Sequence, residues 1–313
     1  MIEPVPTAVT NALAWVVIGA FLLAWALDDL RPRLSRGLAA LAWVVFAAFW
    51  LLLVPRFAFV MRSPIETVLS AIAVPGSLYA AQLVRTERRL DSLFVLSRAI
   101  AVMGLIYLPF ESITALRRPL VEATALQVHW VITQLGFQAD LTTLSSLGNP
   151  GSTARAPEAA YQSALVFETD GHRYITYIVL ACTGIGSMSI FAGLVAALDA
   201  PLSRKVSTIL LAVSIIHVLN IARNVFIAVA FGYQWFQVLV GPVMFVTGYT
   251  DPGLVSFFIA DRVLSQSLSV VALVGITWLV VRRVPELLAV IEDVLFILTR
   301  QEYDLRRAFA VDG

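Results

Sequence analysis

Apolar blocks of close to 20 residues are the feature that most limits how this chain can fold. A helix of about 20 apolar residues spans the hydrocarbon core of a bilayer. Hydrophobic residues make up 59% of the 313 and charged residues only 14%, whereas about 25% of the residues in a soluble domain are charged. This composition leaves too little polar surface for a water-soluble fold, so the sequence predicts an integral membrane protein.

The apolar blocks predict an all-α fold, a polytopic transmembrane helical bundle of about seven spans. The predicted spans are residues 8–27, 38–60, 65–84, 93–110, 174–198, 207–231 and 254–281. The first block has no basic segment before it and no small-residue cleavage site after it, so it is interpreted as a retained span and not as a signal peptide. The single cysteine excludes an internal disulfide.

Basic residues are unevenly divided between the two sets of connections. One set, which includes the C-terminal segment, carries 14 of the 22 arginines and lysines, the other carries six, and Arg223 and Arg262 lie inside spans. Connections rich in arginine and lysine stay in the cytoplasm. The N-terminus is therefore predicted outside and the C-terminus inside. A net charge of +1 gives no indication of a nucleic-acid partner.

The chain is expected to form a single transmembrane domain with four parts. These parts are N-terminal spans (1–110), an extracytoplasmic, partly helical loop (111–173), catalytic spans (174–281) and an amphipathic cytoplasmic tail (282–313). Residues 112–136 are apolar enough to span, to re-enter or to lie on the surface, and the sequence leaves these alternatives open. The rest of the loop is rich in small and turn residues and is interpreted as an ordered loop or lid.

Three chemically versatile residues are predicted at one depth in the membrane. Cys182 and Arg262 lie eight residues after the outer ends of their spans, and Arg223 lies eight residues before the outer end of its span. At 1.5 Å rise per residue, each lies about 12 Å below the outer boundary. An arginine at this depth needs a partner or a wet cavity.

Each of these three spans also carries a stripe of polar or small residues at helical spacing. The stripes comprise Gly186, Ser189 and Gly193; Ser214, His217 and Asn220; and Ser265, Gln266 and Ser269. Such stripes face other helices and not lipid. A thiol beside two fixed cations is expected to have a low pKa and to be a nucleophilic thiolate. The alternative is an inert, buried cysteine and arginines that pair only with Asp261 or with headgroups.

The segments "ACTGIGS" around Cys182, "HVLNIARNVFI" around Arg223 and "ADRVLSQSLS" around Arg262 resemble the exosortase/archaeosortase membrane transpeptidases. That family has a Cys, an Arg and a third basic residue on successive spans near the extracytoplasmic face. An arginine at the third position resembles the archaeosortase A type. The resemblance covers residues 174–270 specifically and extends to the N-terminal spans only as general hydropathy.

The resemblance implies a sortase-like cysteine peptidase or transpeptidase with Cys182, Arg223 and Arg262 as catalytic residues. Its substrates would be secreted proteins with a C-terminal sorting signal, made of a Pro-Gly-Phe-type motif, an apolar helix and a basic cluster. Cleavage would be coupled to transfer of the new C-terminus onto a prenyl-derived membrane lipid. The enzyme would lie in the cell membrane with its active site near the extracytoplasmic face. No cofactor is expected, and the three histidines show no metal-ligand spacing.

The expected mechanism begins with attack of the Cys182 thiolate on the scissile carbonyl to form a thioester, while the arginines stabilise the oxyanion. Gly184 and Gly186 are expected to leave room for the substrate backbone. An arginine, with a pKa above about 12, cannot readily act as a general base, so the proton donor stays open. The candidates for substrate or proton-transfer contacts are, besides water and the two glycines, His172, His217, Asn220, Asp261 and Ser265.

Three other functions agree with parts of the pattern. An anion transporter would also place arginines near mid-depth, but the sequence has no internal repeat and few helices broken by Gly or Pro. An intramembrane cysteine hydrolase would share the chemistry and lack the lipid acceptor. A structural membrane scaffold would need no reactive thiol.

Overall fold

The computed structural model describes residues 7–60, 64–86, 91–148, 158–169, 171–299, 301 and 303–308. Within these ranges the chain forms twelve α-helices and one three-stranded sheet. It divides into two compact units, one made of Met1–Ser112, Ser189–Leu210 and Val280–Gly313, the other of Ile113–Met188 and Leu211–Leu279. The single-domain organisation stays a prediction. Residues 149–157 of the predicted lid lie outside the described residues.

The first unit is built mainly from long apolar helices. They are α1 (Thr7–Ala26), α2 (Pro32–Pro55), α3 (Pro64–Thr86) and α4 (Asp91–Ser112), with α11 (Glu286–Thr299) and the short α12 (Leu305–Ala308) near the C-terminus. Helix α2 continues as a π-helical turn at Arg56–Val60. Three further helices contribute residues to both units: α6 (Ile185–Ala197), α7 (Leu202–Gly232) and α10 (Gln266–Arg283).

Aromatic and small side chains make the core of the first unit. The rings of Phe21 on α1 and Trp43 on α2 meet edge to face, with their centroids 5.4 Å apart. The Trp43 indole Nε1 donates to Ser97 Oγ on α4 at 3.0 Å, which satisfies its buried polar atom. Gly193 of α6 lies so close to α4 that a Cβ atom there would be 2.5 Å from the Ala99 carbonyl oxygen. Small residues therefore allow the close helix packing that membrane bundles use.

The second unit combines helices with the sheet. Its elements include α5 (Thr114–Gln134), β1 (Asp140–Thr143), β2 (Gln162–Thr169), β3 (His172–Tyr177), a 3-10 turn (Leu180–Thr183), α8 (Val240–Thr247), α9 (Leu254–Phe258) and a π-helical segment (Ile259–Ser265) that leads into α10. The strands are antiparallel in the order β1-β2-β3.

Helix α5 and the C-terminal part of α7 cover the sheet. Val128 and Ile132 of α5 form one apolar cluster with Leu165 and Phe167 of β2 and with residues of α7. The Phe167 ring fits against Gly232, where a Cβ atom would lie 2.3 Å from the ring. The sheet is thereby fixed to the end of α7, the helix that carries Arg223.

Six helical segments of the described chain are long and apolar enough to cross a membrane. They are Val9–Ala26, Pro32–Phe59, Glu66–Thr86, Ser92–Ser112, Leu202–Gly232 and Leu254–Arg283. The predicted all-α, polytopic membrane fold is confirmed. Most of residues 112–136 belong to the helix α5 (Thr114–Gln134), which is not among the six. Its orientation towards the membrane, like that of the two termini, stays a prediction.

The predicted span at 174–198 is wrong in its first half. Residues His172–Tyr177 form β3, and the apolar helix α6 begins only at Ile185. The physical reason is the run of aromatic and β-branched residues from Tyr174 to Tyr177, which favours a strand that pairs with β2. The depth calculated for Cys182 assumed a continuous helix from residue 174, so that calculation is wrong too.

Candidate active site

Cys182 lies in the 3-10 turn that joins β3 to α6. Its side chain is partly exposed, and its backbone N–H donates to the Val179 carbonyl at 2.8 Å. Its carbonyl oxygen accepts two side-chain hydrogen bonds from α7, from Asn220 Nδ2 at 2.7 Å and from Asn224 Nδ2 at 2.8 Å. The backbone of Cys182 is therefore bound to one turn of α7, while the thiol is left out of these bonds.

The turn depends on the glycine that follows it. Gly184 has a φ of 78°, in the left-handed region that residues with a Cβ atom rarely adopt. A Cβ atom at Gly184 would lie only 3.0 Å from the Asn220 side chain. Gly186 differs, because a Cβ atom there would have no neighbour within 4 Å. Gly184 thus has a local structural role, and Gly186 borders open space.

Arg223 lies on the same turn of α7 as the two asparagines. Its Nη2 donates to Asp261 Oδ1 at 2.8 Å, and Arg262 Nε lies 3.5 Å from the other carboxylate oxygen. The Asp261 side chain is 16% exposed, against 38% for Arg223 and 48% for Arg262. One largely buried carboxylate thus lies between two guanidinium groups and offsets part of their charge.

Asp261 and Arg262 belong to the π-helical segment Ile259–Ser265. A π-turn inserts one residue into an α-helix, and such turns occur frequently at functional sites. Just before it, Ser256 Oγ donates to the Ala230 carbonyl of α7 at 2.8 Å and accepts a bond from the Phe236 N–H at 3.2 Å. The segment is therefore tied to α7 close to the Arg223–Asp261 ion pair.

Burial raises the pKa of the Cys182 thiol above its ordinary value, and this effect exceeds the opposing ones. The hydrogen-bonding contact with the Val179 backbone and the charge of Arg223 lower the pKa, and the charge of Asp261 raises it. The charge of Arg262 acts on Tyr249, whose pKa burial raises. The expected low pKa is therefore wrong, because burial outweighs the effect of Arg223 and Asp261 acts against that effect.

The other predicted site residues are only partly joined to this cluster. Within the described ranges, no hydrogen bond or ion pair links His172 or His217 to Cys182, Arg223 or Asp261. His172 is exposed at the start of β3.

Ser265 ends the π-helical segment, and its buried hydroxyl has no hydrogen-bond partner among the residues that the structure describes. Among the same residues, the buried Nε atom of Arg223 also has no partner. Within the described chain, no group of three or more His, Cys, Asp or Glu side chains is placed to hold a metal ion.

Asn224 is the residue of this cluster that the sequence reasoning missed. Its side chain is 7% exposed, and its amide contacts both Cys182 and the Asn220 carbonyl. The available signal was its spacing, since it lies four residues after Asn220 and directly after Arg223. Residues four apart share one face of a helix.

The site combines a thiol, two guanidiniums and a bridging carboxylate, which is consistent with the expected family. Comparison with known sequences determines whether the chain belongs to that family. The family model of the transmembrane exosortases matches residues 7–250. The chain belongs to the transmembrane exosortase family. The matched range includes Cys182 and Arg223 and ends before Arg262.

Two relatives extend the exosortase similarity over nearly the whole chain. An archaeosortase A from Haloferax volcanii is 45% identical over 317 residues, which cover 98% of this chain and 100% of the relative. An archaeosortase A from Natronomonas pharaonis is 50% identical over 297 residues, which cover 92% of this chain and 89% of the relative. No solved structure matches this chain significantly. The assignment to the archaeosortase A type is confirmed, and with it the expected class of enzyme, a sortase-like cysteine transpeptidase of a membrane.

Proposed function

We propose that this archaeosortase cleaves a C-terminal sorting signal from secreted surface proteins and joins the new C-terminus to a membrane lipid. Cys182 is the nucleophile, and Arg223 and Arg262 are the catalytic cations. The observation that carries the proposal is the link between nucleophile and cation, since the Cys182 backbone is bound to the same turn of α7 that presents Arg223.

The first half-reaction forms an acyl-enzyme. The Cys182 sulfur attacks the scissile carbonyl carbon, the carbon–nitrogen bond breaks, and a thioester links Cys182 to the N-terminal part of the substrate. The thiol loses one proton and the leaving amine takes up one, so the step balances in protons. Asp261 is the carboxylate in contact with both arginines.

The two arginines have different tasks in this proposal. Arg223 is the cation whose charge favours the thiolate of Cys182. Arg262, with a more exposed side chain, contributes charge towards the oxyanion that develops on the scissile carbonyl. Asp261 holds both guanidiniums in place before the substrate arrives.

The second half-reaction releases the product. An amine or hydroxyl group of a prenyl-derived lipid headgroup attacks the thioester carbonyl, the carbon–sulfur bond breaks, and the proton of the headgroup restores the thiol. The surface protein then carries a lipid at its C-terminus. Attack by water in place of the lipid would make the enzyme a hydrolase with the same nucleophile.

The proposed substrate signal has three parts, a Pro-Gly-Phe-type motif, an apolar helix and a basic cluster. An apolar helix of about 20 residues inserts into the bilayer beside the enzyme, and its basic end stays in the cytoplasm. The scissile bond then lies near the extracytoplasmic face of the cell membrane, where we place the active site.

Mass spectrometry of the processed substrate tests this proposal. A secreted reporter with the three-part signal is produced with the wild-type enzyme or with Cys182→Ala, and its C-terminal peptide is analysed. We expect a lipid-modified C-terminus with the wild type and an intact signal with the variant. A free carboxylate in place of the lipid would rule out the transfer step, and full processing by the variant would rule out the nucleophile.

A further inference from the structure

Two side-chain amides of α7, of the partly buried Asn220 and the buried Asn224, converge on a single backbone atom of the nucleophile. The carbonyl oxygen of Cys182 accepts from Asn220 Nδ2 at 2.7 Å and from Asn224 Nδ2 at 2.8 Å. Asn224 Nδ2 also donates to the Asn220 carbonyl at 2.8 Å, so both of its N–H bonds are used. Asn224 is 7% exposed, so these hydrogen bonds take the place of those that its amide would make with water.

We infer that Asn220 and Asn224 are positioning residues, which hold the Cys182 backbone at a fixed distance from Arg223. This inference rests on the proposed role of Cys182 as the nucleophile. Neither amide needs to contact the substrate. They act through the carbonyl of Cys182 and leave its sulfur free to react.

The helix itself sets the distance between the nucleophile and the cation. Asn220 and Asn224 are one helical turn apart, and Arg223 lies between them in sequence, on the same turn. A short 3-10 turn has few hydrogen bonds of its own to hold it. The two amides bind this turn to the helix, so Cys182 is placed relative to Arg223 by a rigid element.

The geometry of Gly184 supports the same inference. Its left-handed φ of 78° ends the 3-10 turn, and the space that a Cβ atom would need is occupied by the Asn220 side chain. The turn and the amide therefore fit one another closely. This fit predicts that the turn tolerates a side chain poorly at this position.

Four variants and the wild type test the inference in the full-length, membrane-reconstituted enzyme. Asn220→Ala removes one amide, and Asn224→Leu keeps the size of the side chain and removes its donors; the third variant combines both changes. Ser207→Ala is the matched control on α7, since its hydroxyl donates to the Arg204 carbonyl of its own helix. The readouts are kcat and KM for a signal-bearing substrate, the pH profile of Cys182 alkylation, and thermal unfolding.

We expect kcat of the double variant to fall about 10- to 100-fold, the loss that a small misplacement of a reacting group causes. KM should change little, and the alkylation profile should move to higher pH because the thiol is no longer held near Arg223. Ser207→Ala should match the wild type. A double variant with wild-type kcat would overturn the inference, and so would one that only loses folded protein while its alkylation profile stays unchanged.

The result for Cys182→Ala separates this inference from the proposed function. If Cys182→Ala still processes substrate, the proposed function fails, and the positioning role fails with it. If Cys182→Ala is inactive and the double asparagine variant is fully active, only the positioning role is wrong.

Discussion

Burial and the charge of Arg223 act in opposite directions on the pKa of the Cys182 thiol. Burial raises the pKa of the thiol, Arg223 lowers it, and Asp261 raises it. A group whose proton must leave before it can attack reacts faster as pH rises towards its pKa. The alkylation rate of the wild-type enzyme should therefore keep increasing above the pH at which an ordinary thiol levels off.

At the residue scale, the two arginines should differ in their effect on this profile. Arg223→Gln removes the charge that lowers the pKa of Cys182, so the alkylation profile should move to higher pH by about one unit, the lower end of what a nearby opposite charge causes. Arg262→Gln should move the profile less, since Arg223 is the arginine whose charge lowers the pKa of Cys182. The rate is measured from pH 6 to 10 with a maleimide, and Cys182 is the only cysteine it can label.

Equal shifts in both arginine variants would contradict this division of tasks. An Arg223→Gln profile identical to that of the wild type would contradict the influence of Arg223 on the thiol.

The two glycines beside Cys182 should respond differently to the same substitution. Gly184→Ala places a Cβ atom 3.0 Å from the Asn220 side chain at a φ of 78°, and it should lower the free energy of unfolding by about 1–3 kcal/mol. Gly186→Ala adds its methyl group to open space and should leave that energy unchanged. If Gly186 makes room for the substrate backbone, Gly186→Ala should lose substrate processing and keep the stability of the wild type.

Thermal unfolding and substrate processing, measured on the same preparations, check the two glycine variants. A Gly184→Ala protein as stable as the wild type would show that the turn can accept a side chain, contrary to the geometry.

At the element scale, the π-helical segment determines which way Asp261 and Arg262 face. Deleting Val263 from Ile259–Ser265 should restore an α-helix and rotate the residues before the deletion by about 100° relative to those after it. Asp261 should then no longer reach Arg223, and processing should be lost while the protein still inserts into the membrane. Val263 is 45% exposed, so the deletion removes little packing.

Val263→Ala is the matched control, since it trims the same side chain and keeps the length of the segment. Wild-type processing by the deletion variant would mean that the π-turn has no part in the site.

The sequence predicts the long helices well because each is a continuous apolar block that only a helix can carry across a bilayer. The strands are missed for a related reason, since the segment from Tyr174 to Tyr177 runs without a break into the apolar block that holds α6. The π-turn at Ile259–Ser265 has no local signal either. The preceding helix α9 is bound to α7 through Ser256, a contact that no single segment of the sequence reveals.

The candidate site is predicted in its residue types and only partly in its geometry. The spacing of Cys182, Arg223 and Arg262 along the predicted spans is enough to indicate a site. The depth estimated from helical rise, however, places all three at the same level on three straight helices. The structure connects them differently, through the amides of α7 and the carboxylate of Asp261. Asn224 lies four residues after Asn220, a spacing that predicts a shared helix face. The apolar residues that follow it in the sequence make this spacing easy to overlook.

At the scale of the whole molecule, the charge bias predicts that the sheet lies outside the cell. In a Cys182→Ala background, His172→Cys at the exposed start of β3 should be labelled by a membrane-impermeant maleimide added to intact cells. Arg36→Cys on α2, which is also exposed, should be labelled only after the cells are opened. The reverse pattern would mean that the predicted orientation is inverted.

The central claim is that Cys182 becomes covalently attached to its substrate, and peptide mass spectrometry of the enzyme tests it directly. After brief mixing with a signal-bearing substrate and an acid quench, the peptide containing Cys182 should carry the N-terminal part of the cleaved substrate. Hydroxylamine should remove this adduct, as expected of a thioester. Substrate turnover at the normal rate with no such adduct at any time, together with full activity of Cys182→Ala, would contradict the account.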